Sequence, residues 1–279
     1  MSLKLGLLAS SQQQAANLLL DTYPGATAAY SLRKLRSSYT GAAIRVRRSS
    51  DNTETDIGFV SNVLDTTALS TFCGVVGNGF VTIWYDQSGN GNNAIQSTTS
   101  LQPFVVQLGI INTKNGKPSL VNSGYNYLVA NGGTGSGNGI LYNWFFSAYN
   151  IDNLNVVNII AYEIPNTGGV YTGGLFSGVN GFGGYGGGNI LSSNYEPIQT
   201  SLSLGTIKTN TTTEIYINSA LFTSGSPGWQ GSFMTIFGGT LNTGQGHNGS
   251  ISEMVFYNTD QSSNRIGIET NINSFYTIY

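Results

Sequence analysis

The sequence predicts an all-β sandwich with a short helical segment at each end. Three features predict it. Stretches with strand-type alternation are spread along the chain, clusters of glycine and asparagine separate them, and helical spacing is confined to the two termini.

The elements follow in chain order. Ser10 or Ser11 is placed to cap a helix running to Leu20, with Ala15, Leu18 and Leu19 on one side and Pro24-Gly25 as its stop. Residues 1–25 therefore read as a segment ahead of the main domain, either anchoring it to something else or packing on its surface, and residues 26–279 as the sandwich. Ala43 to Arg47 alternates apolar and charged side chains, as a half-buried strand does, and Phe80 to Tyr85 is rich in β-branched and aromatic residues. Further strands are predicted at 104–108, 142–149, 156–162, 214–217, 233–237 and 250–257. Gly89-Asn90-Gly91, Asn115-Gly116 and Asn131-Gly132-Gly133 supply turns between them. The glycine-rich run 178–188 lacks the lysine and following helix of a phosphate-binding loop, and reads as a flexible loop or a tightly turning strand connection. Asn264 to Tyr276 closes the chain as an amphipathic helix with a serine or aspartate cap.

Composition narrows the function. A chain of 279 residues hides roughly three quarters of its unfolded surface, enough for a large core. Only 9% of residues are charged, against about 25% in an average soluble domain. Solubility then rests on hydroxyl and amide side chains, a profile suited to extracellular or particle-surface proteins. The net charge of −2 offers no footprint for nucleic acid. Six of the eleven basic residues fall between Arg33 and Arg48, where they read as a basic strand pair balanced by Asp51, Glu54 and Asp56. Cys73 is the only cysteine, which excludes an intrachain disulfide. No apolar run approaches the ~18 residues of a membrane span, and the apolar part of MSLKLGLLASSQQQ is short for a signal peptide.

Several separated motifs carry a resemblance. Tyr30-Ser31-Leu32-Arg33, Ser38-Tyr39-Thr40-Gly41, Arg45 to Asp51, Asp56-Ile57-Gly58 and Trp84-Tyr85-Asp86-Gln87-Ser88-Gly89-Asn90-Gly91 occur in that order. Together they resemble the N-terminal half of the catalytic domain of α-L-arabinofuranosidase B enzymes, and Gly174 to Gly178 is similar to another segment of that family. Asn115 to Leu120 with Tyr125 to Leu128, Glu214 to Asn218, and Gly249 to Asn258 resemble concanavalin A-like, laminin G-like domains. The resemblance implies a jelly-roll sandwich of two antiparallel sheets. Chains combining these motifs also resemble tailed-bacteriophage virion proteins.

The resemblance further implies what to look for and what has changed. The family's nucleophile is a glutamate in a Gly-Asn-Ala-Glu context, which this sequence lacks, and the Glu-x-Asp-x-x-Glu strand of glucanases of the same fold is missing as well. The matching family segment carries two cysteines; Cys73 stands at the first and Gly79 or Phe80 at the second, a state suited to a reducing compartment. The expectation is accordingly a non-catalytic virion appendage, fibre or decoration protein. It would be homo-oligomeric, sit among other virion proteins and need no cofactor, with a secreted carbohydrate-binding module or an arabinofuranosidase-like hydrolase as alternatives.

Glycan contact is expected at Trp144, Tyr171, Phe182, Tyr185, Tyr195 and Trp229, because sugars stack on exposed aromatic faces. Should catalysis occur, Glu163 and Glu196 are the carboxylates best placed for a cleft, while Glu253 is expected to serve the closing strand. Asp86, Asn90 and Asn92 are either calcium ligands or, on the plainer reading, a turn whose side chains bond their own backbone. His247, the only histidine, is expected in a surface hairpin loop, and no metal site is expected.

Overall fold

A computed structural model describes residues 18–123, 125–130, 139–152, 158–159, 161–162, 174–178, 181–185, 189–191, 201–209, 212–225, 231–233, 235–238 and 247–279. The chain opens with α1 (Leu19–Thr22), β1 (Ala26–Ser31), β2 (Ile44–Arg48) and β3 (Glu54–Ile57). A small hairpin, β4 (Phe59–Val60) and β5 (Val63–Leu64), leads into α2 (Thr66–Cys73). Next come β6 (Gly79–Trp84), β7 (Ala94–Ile95), β8 (Phe104–Gln107), β9 (Leu120–Ser123), β10 (Leu128–Ala130) and β11 (Trp144–Ile151). The framework is completed by β12 (Ala161–Tyr162), β13 (Ser203–Lys208), β14 (Thr213–Ile217), β15 (Ala220–Gly225), β16 (Thr235–Ile236), β17 (Asn248–Tyr257) and α3 (Arg265–Tyr276).

The architecture is mostly β and antiparallel, with few helices. One sheet is built around β17, whose first half pairs with β9 and whose second half pairs with β1. On its other side β17 pairs with β11 along its length, followed by β13, β14 and β15. A second array runs β3-β2-β6-β7-β10-β16-β12, and β8 joins the two through the Val121–Phe104 pairing.

Alternation along the strands explains how these layers stack. Phe145, Tyr149, Met254 and Phe256 point from the first sheet into a core shared with Ile44, Val46, Val81, Trp84, Leu128 and Ile236 of the second. Phe145 and Phe256 stack there with ring centroids 4.6 Å apart. The intervening residues Trp144, Phe146, Val255 and Tyr257 point the other way, onto Leu19 and Leu20 of α1 and Ile268, Ile272 and Tyr276 of α3. Every residue of β11 is buried, because its sheet is covered on both faces. At roughly 25 cal/mol per Å² of apolar surface, this double burial makes β11 and β17 the mechanical centre of the fold.

One polar knot ties the helical layer to the strands. Arg33 grips Glu253 with two bonds, Nε to Oε2 at 2.7 Å and Nη2 to Oε1 at 2.8 Å. Ser31 Oγ donates to the same carboxylate at 2.8 Å, and the Tyr276 hydroxyl lies 3.3 Å from it. Glu253 thus serves the closing strand by neutralising a buried arginine. Burial drags the Arg33 guanidinium down, but Glu253 outweighs that and leaves it raised above its ordinary value. No described helix is long and apolar enough to cross a membrane.

Several local details differ from the sequence reading. The helix through Leu20 is described only over Leu19–Thr22, its earlier part lying outside the described residues. α2 was not anticipated, although Asp65 caps it by accepting the Ala68 N–H at 2.9 Å. α3 begins after Asn264, which makes no side-chain cap bond; Asp260 instead ties the preceding turn by accepting Ser262 N–H and Oγ–H. Within the glycine-rich run the structure describes a strand at Gly181–Tyr185, in a four-stranded antiparallel sheet with Asn158–Ile159, Gly174–Gly178 and Asn189–Leu191.

Candidate functional site

The outer face of the second array, away from the shared core, is where charged and aromatic side chains of the described residues meet solvent in register. Cross-strand pairing lines up Asp56, Arg45, Ile83, Ile95 and Val129 in one row. Glu54, Arg47, Phe80 and Phe104 form the next. The strand period of two puts Glu54 and Asp56 on the same side, with α-carbons about 6.5–7 Å apart.

The geometry assigns these two carboxylates different duties. Asp56 is clamped by Arg45, Nε to Oδ1 and Nη2 to Oδ2 both at 2.8 Å, and accepts the Tyr85 hydroxyl at 2.8 Å. The bonds from Arg45, helped by Tyr85, hold its carboxyl below the usual range. In return, burial and then the Asp56 charge push the Tyr85 phenol up to about 12. Asp56 is an anion held in place by three bonds. Glu54 takes one bond, from Thr82 Oγ at 3.2 Å through Oε2, and its other oxygen is open to solvent. Of the two carboxylates it is the one with an oxygen that no described residue occupies.

The second row is rigid. Arg47 reaches Gln102 Oε1 at 2.8 Å and Asn52 Oδ1 at 2.6 Å, and its guanidinium lies 4.4 Å from the Phe80 ring centroid. Phe80 packs on Phe104 at 4.8 Å. Gln102 and Gln96 continue the chain of bonds to the Tyr127 carbonyl. Such a network holds the guanidinium and the face around it in one shape.

The residues singled out from the sequence fall in different places. Trp144 is buried rather than available to a sugar: its outward face is covered by the helical layer, it stacks on Phe146, and its Nε1–H donates to Asp260 at 3.1 Å. Phe182 and Tyr185 sit on the strand Gly181–Tyr185, opposite Ser177 and Gly174. Tyr171, Tyr195 and Trp229, with Glu163 and Glu196, lie outside the described residues. Asp86 is buried and accepts Ala29 N–H, Ser88 N–H, Ser88 Oγ–H and Asn92 N–H, so both its oxygens are filled by the chain itself. Asn90 and Asn92 donate to the Thr27 carbonyl. The structure therefore builds the self-bonded turn at this motif. His247 is fully buried beside Phe237 rather than on a surface loop, and burial pulls its imidazole down to about 4. The Glu54–Asp56 pair was legible as an alternating strand but was read only as charge balance.

With this geometry in place, comparison with known proteins defines the scaffold. The family model described as alpha-L-arabinofuranosidase B, catalytic, matches residues 21–129. A probable alpha-L-arabinofuranosidase B of Aspergillus flavus is 39% identical over 100 residues, covering 33% of this chain and 19% of that protein. The alpha-L-arabinofuranosidase B of Penicillium canescens is 37% identical over 103 residues, 34% of this chain and 22% of that one. Among solved structures, a glutamate-to-glutamine variant of a GH54 α-L-arabinofuranosidase soaked with 4-nitrophenyl α-L-arabinofuranoside superposes with a TM-score of 0.70 at 21% identity. That match covers 92% of this chain and 64% of the other. An arabinofuranosidase complexed with arabinofuranosyl-α-1,2-xylobiose gives 0.67 at 22%, over 88% and 62% of the two chains. The chain thus shares its fold with these arabinofuranosidases, and residues 21–129 match the catalytic-domain model. The aligned segment spans about a fifth of the length of these relatives, 19% and 22%.

These matches correct the functional expectation. The named relatives and neighbours are glycoside hydrolases, matched through a catalytic-domain model, and not virion components. Neither a bacteriophage appendage nor a non-enzymatic role survives as the leading reading.

Proposed function

We propose that this chain is a glycoside hydrolase domain acting on glycans that bear α-L-arabinofuranosyl groups, in an extracellular setting. The observation that carries the reading is the joint match: a catalytic-domain family model over 21–129 and a shared fold over 92% of the chain. In this reading residues 26–279 form one jelly-roll sandwich and 1–25 precede it. The Gly-Asn-Ala-Glu context is missing, so the carboxylates come from elsewhere. Glu54 is the candidate on the open sheet face, and Glu163 and Glu196 are the others. Hydrolysis needs one carboxyl to protonate the departing glycosidic oxygen and a second to attack the anomeric carbon or deprotonate the attacking water. Phe182, Tyr185, Tyr171, Tyr195 and Trp229 remain proposed stacking partners for the sugar.

Release of 4-nitrophenol from 4-nitrophenyl α-L-arabinofuranoside tests this directly. Glu54→Gln, Glu163→Gln and Glu196→Gln are compared with the wild type. A general acid or base contributes about 10²–10⁴-fold, so two of the three variants should lose at least a hundredfold in kcat. A wild type that binds but does not turn over this substrate or an arabinoxylan overturns the proposal.

A further inference from the structure

We propose that the groove along the free edge of β3 holds a stretch of uncharged glycan chain, a secondary subsite for polymeric substrate; this rests on the hydrolase reading above. The groove has a volume of about 1080 Å³ and lies between β3, the β4–β5 hairpin, α2 and the Lys117–Pro118 end of a second hairpin. β3 pairs with β2 on one side, which leaves its other edge of backbone donors and acceptors facing the groove.

The lining selects the ligand's chemistry. Thr55 of β3 and Thr66, Thr67 and Thr71 of α2 present hydroxyls, with Val60 and Phe72 as apolar patches between them. None of the four threonine hydroxyls bonds to another described residue. The charged groups at the groove, in contrast, are all engaged within the chain. Arg48 is paired with Asp51 at 2.6 Å and Asp56 with Arg45 at 2.8 Å. Asp65 caps α2, and the Lys117 ammonium sits 4.5 Å from the Phe275 ring centroid. A ligand entering here meets hydroxyls, backbone edges and apolar faces without a net field. That combination fits a neutral, hydroxyl-rich chain with apolar sugar faces.

α2 supports the same assignment. Its inward side is Leu69 and Cys73, both buried, while Thr67 and Thr71, one turn apart, share the exposed side. Threonine is a weaker helix former than alanine or lysine, so helix stability does not account for these positions.

The test uses the intact chain and arabinoxylan as the probe, in affinity gel electrophoresis and in hydrolysis. Thr67→Ala/Thr71→Ala removes two hydroxyls and favours the helix; Thr67→Glu/Thr71→Glu adds bulk and charge to an exposed face. The alanine pair should weaken polymer retardation and raise the polymer KM about fivefold, and the glutamate pair more. Kinetics on the 4-nitrophenyl glycoside should stay at wild-type values, and the Tm of the alanine pair should not fall below that of the wild type. Retardation of both variants equal to wild type overturns the groove, as does a wild type that is not retarded. A wild type that is retarded, with the variants released, but turns over neither substrate keeps the groove and overturns the hydrolase reading.

Discussion

Replacing Gly79 with cysteine should close a disulfide onto Cys73. A β-carbon built on Gly79 lies 2.8 Å from the Cys73 sulfur, and across a disulfide the β-carbon sits about 3 Å from the partner sulfur. The position needs no unusual backbone, being the first residue of β6, so a side chain is tolerated there. The closed loop of seven residues, from Cys73 to Gly79, removes about 8 cal/mol/K of chain entropy, or about 2.4 kcal/mol at 25 °C. Crowding works against this, since the new β-carbon would also stand 3.2 Å from Val106 Cβ and from Val46 Cγ1. Tight contact of this kind costs about 1 kcal/mol at the low end of overpacking, so a net gain of about 1–2 kcal/mol is expected. Thiol titration of the air-oxidised, unfolded variant should find none of its two thiols free. Urea unfolding should show a higher midpoint without reductant than with it. Two titratable thiols in the oxidised protein, or midpoints that coincide, would refute the geometry.

The other predictions concern buried groups. Glu253→Gln leaves the Arg33 guanidinium without its anion and should cost about 3–5 kcal/mol in urea unfolding, whereas Arg33→Met/Glu253→Leu together should cost less. His247 has its imidazole lowered to about 4 by burial, with Asp152 pulling weakly the other way. The unfolded chain therefore binds the proton first. Stability is intact above about pH 6.5 and falls as pH drops towards 4, by about 3 kcal/mol in total. His247→Asn should flatten that part of the pH profile; an unchanged slope would mean that another group is responsible. Asp86→Asn sets an amide among donors that now meet carboxylate oxygens and should lose about 1–3 kcal/mol. Adding calcium or EDTA to the wild type should leave its Tm unmoved.

Parts of this structure were readable because a local pattern and a tertiary role coincided. Alternation at Ile44 to Arg48 announced a strand with one buried face, and the pairing of Arg45 with Asp56 is the cross-strand form of that charge balance. Trp144 shows where the same reasoning stops. An aromatic on a strand has two possible faces, and only the covering by α1 and α3 decides that this one is buried. His247 failed for a related reason. Its glycine- and asparagine-rich surroundings describe a turn, yet His247 leads straight into β17, which is buried over all but its first residue, and the imidazole is buried with it. α2 went unread because its eight residues are rich in threonine, and weak propensity over so short a window is outweighed by the burial of Leu69 and Cys73.

The matched segment 21–129 carries several long-range ties among the described residues. Asp86 fastens β1, and Gln87 spans Leu35 N–H, the Ser31 carbonyl and the Arg33 carbonyl, with bonds of 2.8–3.0 Å. Arg33 in turn reaches β17 at the far end of the sequence. An aspartate-glutamine pair with such partners is constrained by geometry whatever the domain binds, because replacing either would orphan several buried backbone groups at once. Asp86 and Gln87 therefore report the scaffold and not the chemistry. Glu54 lies within the matched segment but outside this tie network, with one oxygen still open. The loss or retention of turnover in Glu54→Gln therefore separates a face that merely inherits the scaffold's shape from one that takes part in the reaction.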